Sequence, residues 1–425
     1  MSLFGKASMI NNNPNNSKKS ILLANGIDIF IVIILLFLFL GPLIANLYFK
    51  LESGSNQVNL YLSPRCEELF EKGLIEKLLR EFEDQNPDIR IRLASSASEE
   101  SLDILVFDEG DFSALVAADA LMELSSFTNY DSGTLQLAIP LVSFMDLLFY
   151  NIDILSAAGF DRPPKTRDEF LAYSRAISRG DFNASGAAIS LSSNDRQALS
   201  RDIFSWIWAG GSDFWAEEEN ASFNTRPIIN DITFLGILNR EGLFAPDIFE
   251  TTGSQRLEQF AQGKIAMMIA STRAIPYLIE KMEEGAFGIT TIPGSNTGGK
   301  YNIGLSAVYV GMNPHTEYPD ETWKFLEFLA KKSSLFCEEL KAIPGVVSNI
   351  IPGDYVKDDT YYSKAWDIFE TTFITEGFAG KPGVMEYKAA ALEELKTFFE
   401  TNRTAQQTVT AIQQRWDEVW EILEQ

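Results

Sequence analysis

The sequence is poor in the side chains on which most metalloproteins and many enzymes depend. It has one histidine, His315, and two cysteines, Cys66 and Cys337, in 425 residues. That is too little imidazole and thiolate for a His-rich zinc site, and too little cysteine for a disulfide framework. Neither cysteine sits in a motif, so free, buried thiols are expected. Basic residues are scarce too: Lys and Arg number 35 against 59 Asp and Glu, a net charge of −24. The first fifty residues hold Lys6, Lys18, Lys19 and Lys50 against Asp28 alone, which leaves 31 basic and 58 acidic residues, a net −27, in 51–425. Such a surface repels a polyphosphate backbone and argues against nucleic acid as a partner. No G-x-S-x-G elbow occurs, and neither Gly210-Gly211 nor Gly298-Gly299 matches a phosphate-cradling pattern with its Lys and Ser/Thr. Nucleophilic catalysis has no visible machinery, and no cofactor or metal is implied.

What is present is ordinary globular composition, 46% hydrophobic and 22% charged, in a chain too long for one compact core. At least two lobes are expected. Residues 1–20 include the polar run NNNPNNSKKS, which can bury almost nothing. From Ile21 to Phe49 the only charge is Asp28, and Ile29–Leu40 is unbroken apolar sequence, so a membrane helix from about Ile27 to Leu47 reaches the required ~20 residues. Lys18 and Lys19 just before it place a tail, 1–26, in the cytoplasm and 51–425 outside. The competing reading is a cleaved secretory signal. Ala45 has Leu43 two positions before it and Gly41 has Phe39, so no small-x-small site ends the run and a retained anchor over 27–49 is favoured.

Beyond residue 50, Val58–Leu62, Ile89–Leu93 and Asp103–Phe107 read as short strands. A helix carries Leu69, Phe70, Leu74, Ile75, Leu78, Leu79 and Phe82 at helical spacing between the first two. This order suits an α/β sheet, in which ligands bind at the loops after the strands. Those loops are Ser63-Pro64-Arg65 and the acidic turn Asp108-Glu109-Gly110-Asp111. Leu141–Asn151 is a further apolar run. Helices are expected from Thr166, which opens a Thr-x-x-Glu capping box with Glu169, and around Asp195–Trp208, Ile229–Glu241, Gln255–Gln262 and Ser271–Glu284. Strand-like sequence returns at Gly288–Pro293 and Ile303–Met312, followed by helices at Pro319–Lys331, Val384–Phe399 and Thr408–Leu423.

Several segments, in this order, carry a family pattern: Leu102–Phe107 with its acidic turn, IPLVSFMDLLFYNIDILSAAGFDRPPKTRDEFLAYSRAI (139–177), WAGGSDF (208–214), FAQGKIAMMIAST (260–272), GITTIPG (288–294) and GLSAVYVGMNPHTEYPDETWKFLEFLA (304–330). Over most of 58–425 the chain resembles the extracellular solute-binding proteins of ABC importers, in particular the family that carries sugars and oligosaccharides. The resemblance implies an α/β, two-lobed periplasmic-binding-protein-like fold of type II with three hinge crossings, here preceded by one N-terminal transmembrane helix. It puts the crossings near Val142–Phe144, Gly304–Tyr309 and Thr371–Phe378. The N-terminal lobe is then 57–142 plus 308–372 and the C-terminal lobe 145–304 plus 378–425. It also implies capture of a carbohydrate between the lobes and delivery to the permease subunits of the importer, without covalent chemistry. Where some maltodextrin binders carry a Trp after the Ala-Met strand this chain has Arg273, and where they carry a Glu at the first crossing it has Phe144. A maltodextrin assignment does not carry over.

A sugar presents apolar C–H faces and a ring of hydroxyls, so its pocket wants aromatic planes and short polar or acidic side chains. The residues expected to line it are Ser63, Asp108, Glu109, Phe144, Asp195, Trp206, Trp208, Thr272, Arg273 and Ser306. Trp206 and Trp208, two apart on a helix, point about 200° apart, so at most one faces the cleft. Phe144 stands at a crossing, with strand packing as its plainer role. Asp108, Glu109 and Asp111 resemble the acidic turn that contacts ligand in the family; a solvated turn is the plainer reading, and a glycosidase acid–base pair a third. Asp195 could equally cap a helix. Arg273 could fork onto a carboxylate or hydroxyls, or be an ordinary surface residue. A sensory ectodomain reporting ligand occupancy and a glycan-processing enzyme using Asp108 and Glu109 are the alternatives to a transport receptor.

Overall fold

The computed structural model describes residues 56–70, 72–96, 102–127, 136–195, 197–215, 221–294, 302–345, 354–375 and 377–423. The expected cytoplasmic tail and membrane helix, 1–26 and 27–49, lie outside them. Among the described residues no helix is long and apolar enough to cross a membrane. Residues 58–85 with 91–425 form one compact unit, which holds the candidate site; Asn56, Gln57 and 86–90 fall outside it.

Its strands are β1 (Asn56–Leu62), β2 (Ile89–Leu93), β3 (Ile104–Asp108), β4 (Ala138–Asn151), β5 (Met267–Ser271), β6 (Phe287–Thr290), β7 (Asn302–Met312), β8 (Ile343–Pro344) and β9 (Phe373–Thr375). They run in the order β2-β1-β3-β7-β4-β5, with β6 and β8 on β4 and β9 on β7. The long central strand β4 is buried along nearly its whole length, because it serves two half-sheets in succession. Up to Met145 it pairs with β7; from Asp146 onward it pairs with β5, the register Asp146↔Ser271 following directly on Met145↔Leu305. β7 is shared likewise: its start, Asn302–Gly304, pairs with β9 and its later residues with β3. The result is the two-lobed α/β arrangement, and the expected crossings Val142–Phe144, Gly304–Tyr309 and Thr371–Phe378 fall on β4, on β7 and around β9.

Alternation along β4 divides its side chains between the two faces of the sheet. Met145, Leu147 and Phe149 join an apolar cluster with Phe287, Ile303 and Trp366. Leu148 joins the largest cluster, which includes Phe170, Phe204, Trp206 and Trp416. Phe144 and Asp146 lie on the Leu148 face. Thr166 caps the helix Arg167–Arg179 through a hydrogen bond from the Glu169 N–H, 3.2 Å.

Two elements differ from the sequence expectation. The acidic turn is no solvated turn: Asp108 ends β3 and accepts a hydrogen bond from the Asp111 N–H, which caps the helix Glu109–Ala117 and buries Glu109 in its first turn. The stretch Asp195–Trp208 is not one helix; a π-helical turn, Ser200–Phe204, runs into the short helix Ser205–Ala209. Asp195 caps no helix in that stretch. Both cysteines are free and buried, and burial pushes each thiol up to about 12.

Candidate functional site

The strand exchange on β4 gathers four chain segments at one place. β3 ends at Asp108 opposite Val308 of β7. β7 lies beside β4, with Ser306 opposite Phe144. β5 ends at Ser271 opposite Asp146, which brings Arg273 to the same point. The fourth segment is the loop and π-turn from Asn194 to Arg201. Together they enclose a cavity of about 630 Å³ lined by Asp108, Glu109, Phe144, Asp195, Arg273 and Ser306 of the expected set, together with Asn194, Gln197, Arg201, Thr252 and Ser254. A side chamber of about 120 Å³ shares Glu109, Gln197, Arg201, Arg273 and Ser306, and adds Asp146, Ser200 and Trp208. Strand ends and a strand switch are where an open α/β sheet leaves room for a ligand.

The charged groups here are organised around Arg201. Its Nε and Nη2 donate to the Asp202 carboxylate at 3.1 and 2.6 Å, and Nη2 also reaches Asp195 at 3.0 Å. Asp195 further accepts the N–H groups of Gly253, 2.9 Å, and Gln197, 3.1 Å. A Cβ at Gly253 would stand 2.6 Å from Arg201 and 2.7 Å from Asp195, so a residue without a side chain lets the backbone close on this pair. Burial alone would raise the Asp195 carboxyl, but Arg201 and the two backbone donors bring it below the usual range. Asp202 behaves oppositely: burial prevails over the pull of Arg201 and lifts it to about 6.

Asp146 and Glu109 differ from these paired carboxylates. Asp146 accepts only a long hydrogen bond from the Ser205 hydroxyl, 3.4 Å, and burial lifts it to about 7 against the pull of Arg201. Burial likewise raises Glu109; Lys388 opposes the rise and Asp108 adds to it. Among the described residues neither carboxylate belongs to an ion pair. The Arg273 guanidinium lies 5.6 Å from the centre of the Phe144 ring, a cation–π distance. Phe144 is only 2% exposed, so its ring is covered by arginine rather than open for stacking on a sugar.

Three expected residues do not line the cavity. Trp206 is core, packed edge-on against Phe170 and tilted against Phe234. Thr272 spends its hydroxyl on the Met145 N–H, 3.1 Å. Ser63 is buried beside the first strand, its hydroxyl next to the Cys66 thiol. Trp208 stands at the chamber wall, filling a slot formed by two glycines: a Cβ at Gly304 would come within 2.6 Å of its ring and one at Gly377 within 3.0 Å. Asp146, Arg201 and Asp202 were missed in sequence. Asp146 did leave a signal, as the one charge in the apolar run Leu141–Asn151. Among the described residues no group of three His, Cys, Asp or Glu is placed to hold a metal ion.

Comparison with known proteins adds an independent line. Residues 69–334 match the family described as bacterial extracellular solute-binding protein. A binding protein of Brucella abortus is 22% identical over 200 residues, 46% of this chain and 46% of that protein. An ABC transporter-binding protein of Deinococcus radiodurans is 21% identical over 246 residues, 55% of this chain and 57% of that protein. The chain thus matches about half the length of these relatives. Among solved structures, the sugar-binding protein of Xanthomonas citri aligns with a TM-score of 0.69 at 17% identity, over 87% of this chain and 100% of that one. At that identity the likeness speaks for the fold alone.

Proposed function

Because the chain belongs to the bacterial extracellular solute-binding protein family, we propose that it is the receptor of an ABC importer, capturing a carbohydrate in the cavity at the strand exchange and handing it to permease subunits. The observation that carries this reading is the cavity itself. It is built from both half-sheets and lined by carboxylates, arginines, hydroxyls and amides that can hydrogen-bond to sugar hydroxyls. The ABC transporter-binding relative and the sugar-binding structural neighbour support the transport and carbohydrate parts of the reading.

The mechanism is ligand-stabilised closure. Open and closed forms interconvert about the crossings on β4, β7 and β9, and a ligand touching Glu109 on one side and Arg201 or Arg273 on the other favours the closed form. No bond is made or broken. The apolar run at 27–49 tethers the receptor to the cytoplasmic membrane with its main domain outside; a mature N-terminus beyond residue 47 would overturn the tether.

The test is a thermal-shift screen of the full chain against saccharides, polyamines and amino acids, since a ligand bound only by the folded state raises the melting temperature. A saccharide that raises it, and lowers the radius of gyration in small-angle scattering, supports the reading. A shift with amino acids alone would overturn the carbohydrate assignment.

A further inference from the structure

The side chamber brings together two carboxylates without an ion pair and two polar groups without a hydrogen-bond partner among the described residues. Glu109 and Asp146 are 8% and 9% exposed and form no ion pair among the described residues. Ser200 and Trp208, on the same walls, are 5% and 3% exposed, and neither the Ser200 hydroxyl nor the Trp208 Nε1–H has a hydrogen-bond partner. Burying polar groups unpaired costs free energy, and two such groups beside two carboxylates that lack a cation, around one small space, are hard to explain as packing. They are explained if something else completes them.

The charge balance gives the sign of that group. Arg201 is committed to Asp195 and Asp202, two carboxylates for one guanidinium. Arg273 is exposed and lies over Phe144, leaving Glu109 and Asp146 as excess negative charge in a desolvated space. An aromatic platform is missing as well: Phe144, the one aromatic side chain lining the larger cavity, is covered by Arg273. Hydrogen bonds and charge, rather than stacking, must hold the ligand here.

We propose that the chamber receives a protonated amine of the captured saccharide between Glu109 and Asp146, which makes amino sugars the ligand class. This rests on the carbohydrate reading of the same cavity. An ammonium has three N–H donors, enough for the two carboxylates and the Ser200 oxygen. The Trp208 N–H needs an acceptor instead, which a hydroxyl or ring oxygen beside the amine supplies and a polyamine lacks. At about 120 Å³ the chamber has room for roughly four waters, enough for an amine with its neighbouring hydroxyl. The raised carboxyls fit the same picture, since burial lifts both against Lys388 and Arg201 and a bound cation would offset it.

The experiment is titration calorimetry on the full chain near neutral pH with three probes: a glucosamine oligomer, its N-acetylated counterpart and spermidine. The expected result is about tenfold or greater preference for the free amine over the amide. Glu109→Gln and Asp146→Asn should each erase that preference, the free amine losing more affinity than the amide, while the melting transition persists. Two variants at separate positions keep the test informative if one fails to fold. Equal affinity for the two oligomers overturns the amine assignment and leaves the carbohydrate receptor standing. Spermidine binding alone overturns the saccharide part, and binding of none of the three overturns the proposal.

Discussion

Two arginines of this protein, the buried Arg167 and the half-buried Arg201, are held by aspartates, and only Arg201 borders open space. Arg167 pairs with Asp231 and also donates to the Trp206 carbonyl, 2.7 Å, and the Pro293 carbonyl, 3.4 Å, so all its nitrogens are used inside the core. Arg201 pairs with Asp195 and Asp202, yet its side chain lines both the cavity and the chamber. In each pair burial lifts one aspartate to about 6, Asp231 and Asp202, against the pull of its arginine. Arg167 knits the helix Arg167–Arg179 to the helix Arg226–Arg240 and has no group left for a ligand. Arg201 sits on a π-turn, an irregularity that often marks functional sites.

The largest effect should follow from breaking the closed pair. Asp231→Ala strands the Arg167 charge in the core and is expected to cost about 3–5 kcal/mol in chemical denaturation of the full chain. Saccharide affinity, measured where the variant is still folded, should be unchanged. Arg201→Met is expected to cost less stability, about 1–3 kcal/mol, because Asp195 borders the cavity and can be solvated there, and the buried Asp202, already lifted to about 6, can take up a proton. It should abolish detectable binding in the same calorimetry. Equal stability losses with equal binding would mean that both arginines are structural, and the comparison would fail.

Acidity separates the site from the core in a second way. Asp146, lifted to about 7, and Asp202, lifted to about 6, hold protons in the folded state that they release in the unfolded chain. Their contribution to stability is therefore fullest below the unfolded carboxyl range and is lost as pH rises towards 7. Asp195, which is lowered, contributes in the opposite sense, its share being lost as pH falls. Asp146→Asn should flatten the pH profile of stability between pH 4 and 7, with the variant gaining on the parent by roughly 1–3 kcal/mol at the upper end. A parallel profile in parent and variant would show that Asp146 is solvated and titrates normally.

Much of this was legible in the sequence, unevenly. The strands of the central sheet showed as apolar runs, and the Thr166 cap as a capping pattern, because both are local signals. Trp206 and Trp208 both join the same core cluster, and Trp208 also stands at the chamber wall. The helix Glu109–Ala117 was hidden because Asp-Glu-Gly-Asp looks like a turn, and only its packing reveals Asp108 as a cap. The helices Ser333–Leu340 and Thr360–Thr371 were not read at all. Phe144 lies on β4 beside the strand exchange, but whether its ring is open depends on a side chain 129 positions away, Arg273, and such a pairing leaves no local trace. Arg201 and Asp202 were invisible for the same reason.

The smallest expected effect concerns that covering arginine, and its sign is informative. Arg273 is exposed and forms no ion pair among the described residues, so Arg273→Ala should change stability by no more than about 0.5 kcal/mol. Binding is the sharper readout. If the chamber holds an ammonium, Arg273 is a like charge on its wall, and removing it should strengthen glucosamine-oligomer binding by roughly two- to threefold at low salt. The gain should shrink as salt screens the repulsion. The N-acetylated oligomer, which is neutral, should bind parent and variant alike. A tenfold or larger loss for both oligomers would instead mean that the guanidinium forks onto the ligand itself. Arg273 would then join Arg201 as a ligand-holding group, and the excess negative charge of Glu109 and Asp146 would no longer decide which solute the cavity takes.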